Sequence, residues 1–68
     1  MTFEEQVAEL HHMKREATSQ GMSELTFDLL ALEITRRGNA AGVPFKGQFA
    51  EIRRRIASAK PNTSAALG

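Results

Sequence analysis

Apolar residues in the middle of the chain recur at the spacing of an α-helix, but on two opposite sides of it. Between residues 22 and 37, a rotation of about 100° per residue places two apolar stripes roughly half a turn apart. One stripe contains Leu25, Leu29 and Leu32, and the other contains Phe27, Leu30, Ala31 and Ile34. A surface helix needs only one apolar stripe. The pattern therefore predicts a central helix that is covered on both sides.

A first helix is predicted at about residues 3–19. Thr2 and Glu5 have the spacing of a capping box, in which each side chain accepts a backbone N–H group of the first turn. Gly21 can adopt the left-handed conformation that ends a helix. A single apolar stripe runs between these signals and consists of Phe3, Val7, Leu10, Met13 and Ala17.

The second and third helices are predicted at about residues 23–37 and 44–59. Ser23 is a favourable N-cap residue, and Gly38 followed by Asn39 is expected to end the central helix. Pro44 is compatible with the first turn of a helix, where its missing N–H group has no partner to lose. The apolar stripe of the third helix contains Phe45, Phe49, Ile52 and Ile56.

These elements predict an all-α fold with one helical domain at residues 1–59 and the second helix in the centre. No segment alternates apolar and polar residues in the manner of a strand. Residues 60–68, with the sequence KPNTSAALG, contain a helix-stopping proline and small polar residues. We expect this C-terminal tail to be disordered.

The size of the chain and its central helix together predict a homodimeric helical bundle. Domains shorter than about 70–80 residues usually need disulfides, a metal or oligomerisation, and this chain has 68 residues and no cysteine. We expect one stripe of the second helix to pack on its own chain and the other on a second copy. The self-association residues are predicted to be Phe27, Leu30 and Ile34, near the two-fold axis.

Charge is distributed unevenly along the chain. Residues 1–35 carry seven acidic and two basic side chains, whereas residues 36–68 carry one acidic and seven basic. The basic half either binds phosphate groups or complements the acidic half and the helix dipoles, and we favour the second interpretation. The candidate partner or phosphate contacts are Arg36, Arg37, Lys46, Arg53, Arg54 and Arg55.

Motifs for catalysis, metals and cofactors are weak in this sequence. Glu9 and His12 have the Glu-x-x-His spacing of di-iron bundles, but they fall on the solvent side of the first helix. Gly42 and Gly47 have the spacing of a phosphate-binding loop, yet Gln48 and the residue after it replace the required Lys-Ser/Thr pair. We therefore predict no catalytic residues, no metal, no cofactor and no enzyme activity.

The segment joining the second and third helices also invites comparison with a helix-turn-helix. With Gly42 as the turn glycine, Gly38 and Asn39 interrupt the preceding helix, and the connection is longer than the usual three or four residues. Gln48 is polar at a position that is normally buried. These features count against the motif without excluding it.

The function predicted from these observations is that of a small non-enzymatic regulatory protein, an adaptor or inhibitor that binds another protein as a homodimer. The alternative is a nucleic-acid-binding regulator that uses the basic half. The acidic N-terminus differs from a signal peptide, and no apolar run approaches the roughly 20 residues of a membrane span. We expect a cytoplasmic protein that does not contact membranes.

Overall fold

The computed structural model describes residues 2–59, which contain three α-helices. Helix α1 spans Phe3–Ser19, α2 spans Glu24–Ala41 and α3 spans Phe45–Ala59. The predicted all-α class is confirmed, and no strand occurs in this part of the chain. The predicted tail at residues 60–68 lies outside the described residues.

The first two helices begin with the predicted caps. The hydroxyl of Thr2 accepts the N–H of Glu5 at 3.1 Å, and the carboxylate of Glu5 accepts the N–H of Thr2 at 2.8 Å. At the start of α2, the Ser23 hydroxyl accepts the N–H of Thr26 at 3.1 Å. These side chains satisfy backbone donors that have no partner within the helix.

The C-terminus of α2 differs from the prediction, because the helix continues through Gly38 and Asn39 to Ala41. It ends at Gly42, whose φ of 75° and ψ of 20° are left-handed. The Val43 N–H donates to the carbonyl oxygen of Gly38 at 2.8 Å and completes the helix end. Glycine weakens a helix interior by about 1 kcal/mol, but packing against α3 offsets this cost at Gly38, which is buried.

Gly38 allows α2 and α3 to approach closely. A Cβ atom at this position would lie 2.7 Å from Cγ of Gln48, which is closer than carbon atoms pack. Gln48 is only 2% exposed, and its Nε2 donates to Asn39 Oδ1 and to the Val43 carbonyl oxygen, both at 2.9 Å. The amide of Gln48 therefore joins the start of α3 to the end of α2.

The core lies along the Phe27 side of α2, which packs against both α1 and α3. Phe45 was predicted to belong to the apolar stripe of α3 but is 43% exposed. Near the start of α3 it is Gln48 that is buried instead. Half-buried side chains of Leu10, Met22, Leu30 and Ala31 surround the core. Its buried apolar residues are Met13, Ala17, Phe27, Ile34, Phe49, Ile52 and Ile56.

Candidate interaction surfaces

An apolar surface formed by Leu25, Leu29 and Leu32 lies on the face of α2 opposite the core. We call these three residues the leucine stripe. Their exposed fractions are 67%, 58% and 52%. The spacing of four and then three residues is that of the seam between paired helices. Three exposed leucines on one side of a helix form a contiguous apolar patch, which makes this side a candidate interaction surface.

The leucine stripe is acidic at one end and basic at the other. Glu24 and Asp28 lie in the first turns of α2, and Arg36 extends the stripe four residues beyond Leu32. Arg37 Nη2 lies 3.0 Å from a carboxylate oxygen of Glu33. A second helix placed on the stripe therefore meets two carboxylates that also contact Lys14 at one end, and Arg36 beside the Glu33–Arg37 pair at the other.

The residues predicted for self-association lie on the other side of α2. Phe27 and Ile34 are 3% and 6% exposed, and they pack against α1 and α3 of the same chain. Leu30 is half-buried against the same core. Because Phe27 and Ile34 are enclosed and Leu30 is half-buried, these three side chains do not form an outward surface for a second copy. The structure has the two opposed apolar stripes that were predicted for α2. However, the leucine stripe faces outward, and the stripe of Phe27 and Ile34 faces the core.

The outward side of α3 forms a second candidate surface, which we call the basic face. It consists of Lys46, Ala50, Arg53, Arg54 and Ala57, all of which are exposed. These residues share one side of the helix at spacings of three, four and seven residues. None of them is acidic, so the basic face combines three cations with two small side chains.

Carboxylates beside the basic face contact its arginines. Arg53 pairs with Glu9 of α1, and Arg54 pairs with Glu51 one turn earlier on α3. Arg55 Nε lies 3.3 Å from the second carboxylate oxygen of Glu51. The arginines of these pairs are exposed, whereas Glu9 and Glu51 are only 26% and 34% exposed and Oε2 of Glu9 is buried. An anion from solution would compete with these carboxylates for the exposed guanidinium groups.

The six predicted basic contact residues do not form one surface. Arg36 borders the leucine stripe, on the side of α2 away from α3. Arg37, Arg54 and Arg55 surround a groove of about 420 Å³ between α2 and α3, where Gln48 forms part of the wall. Oε1 of Gln48 is enclosed and accepts no hydrogen bond from the described residues. Only Lys46, Arg53 and Arg54 share the outward side of α3.

The connection between α2 and α3 is a three-residue turn at residues 42–44. α2 is regular up to Ala41, and Gly42 supplies the left-handed conformation. Gln48, six residues after Gly42, is buried. The expectations of an interrupted helix and of a long connection are therefore both wrong. This part of the chain has the turn length and turn glycine of a helix-turn-helix.

A separate cluster of charged side chains joins α1 to α2. Nζ of Lys14 lies 3.1 Å from Oδ1 of Asp28 and 3.5 Å from Oε1 of Glu24. The hydrogen bond to Asp28, followed by the attraction of both carboxylates, raises the pKa of Lys14 above its ordinary value of 10.5, although partial desolvation opposes this shift. This cluster was not anticipated from the sequence, because Lys14 and Asp28 lie on different helices.

The histidines show no arrangement typical of a metal centre. His11 and His12 are both exposed, and Nε2 of His12 lies 3.7 Å from a carboxylate oxygen of Glu16. Among residues 2–59, no three His, Cys, Asp or Glu side chains are grouped closely enough to hold a metal ion. No helix in the same range has the length and apolar character needed to cross a membrane.

Comparison with protein families finds no family model that matches this chain. Comparisons with curated proteins and with solved structures give no significant match either. The leucine stripe, the basic face and the charges around them are therefore the features of this chain that bear on its function.

Proposed function

We propose that this protein is a small non-enzymatic regulator that acts by protein–protein binding, as an adaptor or inhibitor, and that it works as a homodimer. In the proposed dimer, the two copies pair through the leucine stripes of their α2 helices. The observation that carries the proposal is the exposure of Leu25, Leu29 and Leu32 directly opposite the core. A two-fold contact suits such a surface because each copy supplies the same residues.

Burial of the leucine stripes would contribute a free energy of the same order as the cost of association. Full burial of an exposed leucine contributes about 1.5–3 kcal/mol. Scaled by the exposed fractions of 52–67%, covering both stripes contributes about 5–11 kcal/mol. Loss of translational and rotational freedom costs about 4–15 kcal/mol. We therefore expect a dissociation constant in the micromolar range or weaker.

The charges at the ends of the stripe favour antiparallel pairing of the two α2 helices. In an antiparallel pair, Glu24 and Asp28 of one copy lie near Arg36 of the other. A parallel pair instead places Arg36 beside its own counterpart at the seam, where like charges repel. The two-fold axis of the antiparallel arrangement passes between Leu29 and Leu32.

Self-association is tested by replacing one leucine of the stripe. Leu29→Glu introduces a charge at the centre of the proposed contact, while its exposure leaves the core unchanged. Phe3→Glu is the matched control, because Phe3 is an exposed apolar residue on α1 (77%). Sedimentation over a series of protein concentrations should show a reversible dimer for wild type and Phe3→Glu but a monomer for Leu29→Glu. Circular dichroism should show all three folded. A Leu29→Glu dimer as tight as wild type would contradict the proposal, as would a wild type that stays monomeric at millimolar concentration.

The orientation is tested by disulfide formation, since the natural sequence has no cysteine. Positions 25 and 36 are separated by about 16 Å along the helix at about 1.5 Å per residue. In an antiparallel pair, Leu25→Cys therefore cross-links with Arg36→Cys in a mixed sample, and neither variant cross-links with itself. Efficient cross-linking of each variant with itself would instead indicate a parallel pair.

The regulatory part of the proposal requires a protein partner that binds the surfaces left open by the dimer. Affinity capture at low salt, followed by quantification of the bound proteins, should recover one partner in stoichiometric amount. Capture with Leu29→Glu then shows whether the partner needs the dimer. Recovery of no stoichiometric protein by the wild type at low salt would contradict the protein-binding role.

A further inference from the structure

We infer that the basic face of α3 binds the phosphate groups of duplex nucleic acid, with the turn after α2 presenting α3 to a groove of the duplex. This inference adds a second ligand to the proposed protein-binding role. It does not depend on the leucine stripe, which lies on the opposite side of α2 from α3. The two proposals can therefore fail separately.

The chain geometry around Gly42 supplies the first argument. A regular helix, a three-residue turn with a left-handed glycine and a second helix follow one another without interruption. In helix-turn-helix proteins, this arrangement presents the second helix to the major groove. Gln48 holds the beginning of α3 against α2 through its two hydrogen bonds. The orientation of α3 is thus fixed by the fold before any ligand binds.

The composition of the basic face supplies the second argument. Lys46, Arg53 and Arg54 are exposed cations, and Ala50 and Ala57 between them are small. Small side chains allow the backbone of a helix to approach a groove about 12 Å wide. A regular row of phosphates complements these cations on both sides of such a groove. The nearest carboxylates, those of Glu9 and Glu51, lie beside this face and pair with its arginines.

The ion pairs of Arg53 and Arg54 do not prevent this binding. Their partners, Glu9 and Glu51, lie beside the basic face rather than on it. The side chains of Arg53 and Arg54 are 51% and 73% exposed, so a phosphate competes with the two carboxylates from the solvent side. Arginine is suited to this exchange because its planar group binds two phosphate oxygens at once.

Duplex nucleic acid fits the basic face better than a single strand or an acidic protein does. Single strands are bound mainly by stacking on aromatic side chains, and the basic face contains none. Acidic proteins usually bring apolar anchors that need an apolar pocket, whereas the apolar residues of this face are two alanines. A rigid duplex requires only cations at regular spacing.

The test uses two matched alanine substitutions and a fluorescently labelled 20-base-pair duplex. Ala50→Glu places a carboxylate at the centre of the basic face, and Ala8→Glu makes the same change at an exposed position of α1. Fluorescence anisotropy at 50 and 200 mM salt measures affinity and its salt dependence. With about three phosphate contacts per copy, the wild-type affinity should fall about 40-fold between these conditions. Ala50→Glu should weaken binding about tenfold or more, and Ala8→Glu less than about threefold.

Several results would overturn the inference. These are no duplex binding at 50 mM salt, salt-independent binding, and equal losses for Ala50→Glu and Ala8→Glu. Tighter binding of a single strand of the same length, or displacement of the duplex by polyglutamate at equal charge concentration, would assign the face to another partner and also overturn it. Leu29→Glu should retain salt-dependent binding, although more weakly if the dimer holds two basic faces. Loss of self-association therefore does not count against this inference.

Discussion

Replacement of Gly38 by alanine tests the packing of α2 on α3 most directly. In an ordinary exposed helix position, glycine to alanine stabilises a protein by about 1 kcal/mol, because glycine loses more backbone entropy on folding. Here the new Cβ atom would lie 2.7 Å from Cγ of Gln48 and 2.9 Å from both Cδ and Nε2. The gain in helix propensity therefore competes with a steric clash.

The clash should outweigh the gain. The Gln48 side chain cannot simply rotate away, since its Nε2 donates to Asn39 and to the Val43 carbonyl oxygen. Overpacking a core position costs about 1–3 kcal/mol, and each hydrogen bond lost contributes about 0.5–1.5 kcal/mol more. Against a gain of about 1 kcal/mol, we expect Gly38→Ala to destabilise the fold by about 1–3 kcal/mol. For a domain of this size, the melting temperature should fall by at least about 4 °C.

Thermal unfolding followed by circular dichroism measures this effect, and a double-mutant cycle with Gln48→Ala isolates its cause. In the Gln48→Ala background, Gly38→Ala should become neutral or stabilising, because the atoms that it would meet are gone. Gly42→Ala is the control: its φ is 75° but no atom lies within 4 Å of the added Cβ. It should destabilise equally with and without Gln48. A higher melting temperature for Gly38→Ala in the wild-type background would refute the reasoning.

Two further predictions concern the other helix contacts. Lys14→Gln should lower the melting temperature at neutral pH, where the pair with Asp28 is intact. Folding raises the pKa of Lys14 above 10.5, so the stabilisation from this pair is fully present below pH 10.5 and is lost as the pH rises through the folded-state pKa. The Lys14→Gln variant should therefore lose less stability than the wild type when melts are measured at alkaline pH. An equal alkaline loss would argue against the pair. Gly47→Ala should leave the stability unchanged or raise it by up to about 1 kcal/mol. The added Cβ atom would meet only Cγ1 of the exposed Val43 side chain, at 2.9 Å. A decrease in the free energy of unfolding of more than about 1 kcal/mol in urea melts would show that Val43 cannot move.

The starts of α1 and α2 could be predicted from local sequence because their caps are local. Thr2 and Glu5 satisfy each other's backbone groups within three residues, and Ser23 acts on Thr26 over the same distance. Such interactions need no information from the rest of the fold. The bounds of α1 accordingly agree with those predicted.

The end of α2 could not be predicted in this way, because it depends on a contact with another helix. Locally, Gly38 followed by Asn39 is a typical end of a helix. In the structure, Gly38 lies four residues after Ile34 on the same side of α2 and receives Gln48. A glycine in register with an apolar stripe was the available signal, since it marks a side on which another helix can approach closely.

The same signal would have indicated which stripe of α2 faces the core. Both stripes are apolar, so hydrophobicity alone does not distinguish them. Gly38 continues the stripe of Phe27 and Ile34, whereas Arg36 continues the stripe of Leu29 and Leu32. A cation that continues an apolar stripe indicates that the stripe faces solvent or an interface. A glycine that continues a stripe indicates that the stripe is buried against another helix. The candidate sites depend on this assignment.

The grouping of the basic residues also could not be predicted from the sequence alone. Their number and their position in the second half of the chain were evident from the sequence. Their division between the leucine stripe, the groove and the basic face depends on how α3 lies against α2. Arg36 and Arg37 are neighbours in sequence, yet only Arg37 borders the groove with Arg54.

The two sides of α2 should produce two distinct patterns of tolerance in saturation mutagenesis. Selection for folded protein should be sensitive at Phe27, Ile34 and Gly38, and almost silent at Leu25 and Leu29. Selection for assembly should be sensitive at both sets. Subtracting the first profile from the second should leave a periodic signal of about 3.5 residues, shifted by half a helical turn from that of the core. Neutral variation in α2 should then be confined to the positions between the two stripes, on neither the inner nor the outer side of the helix.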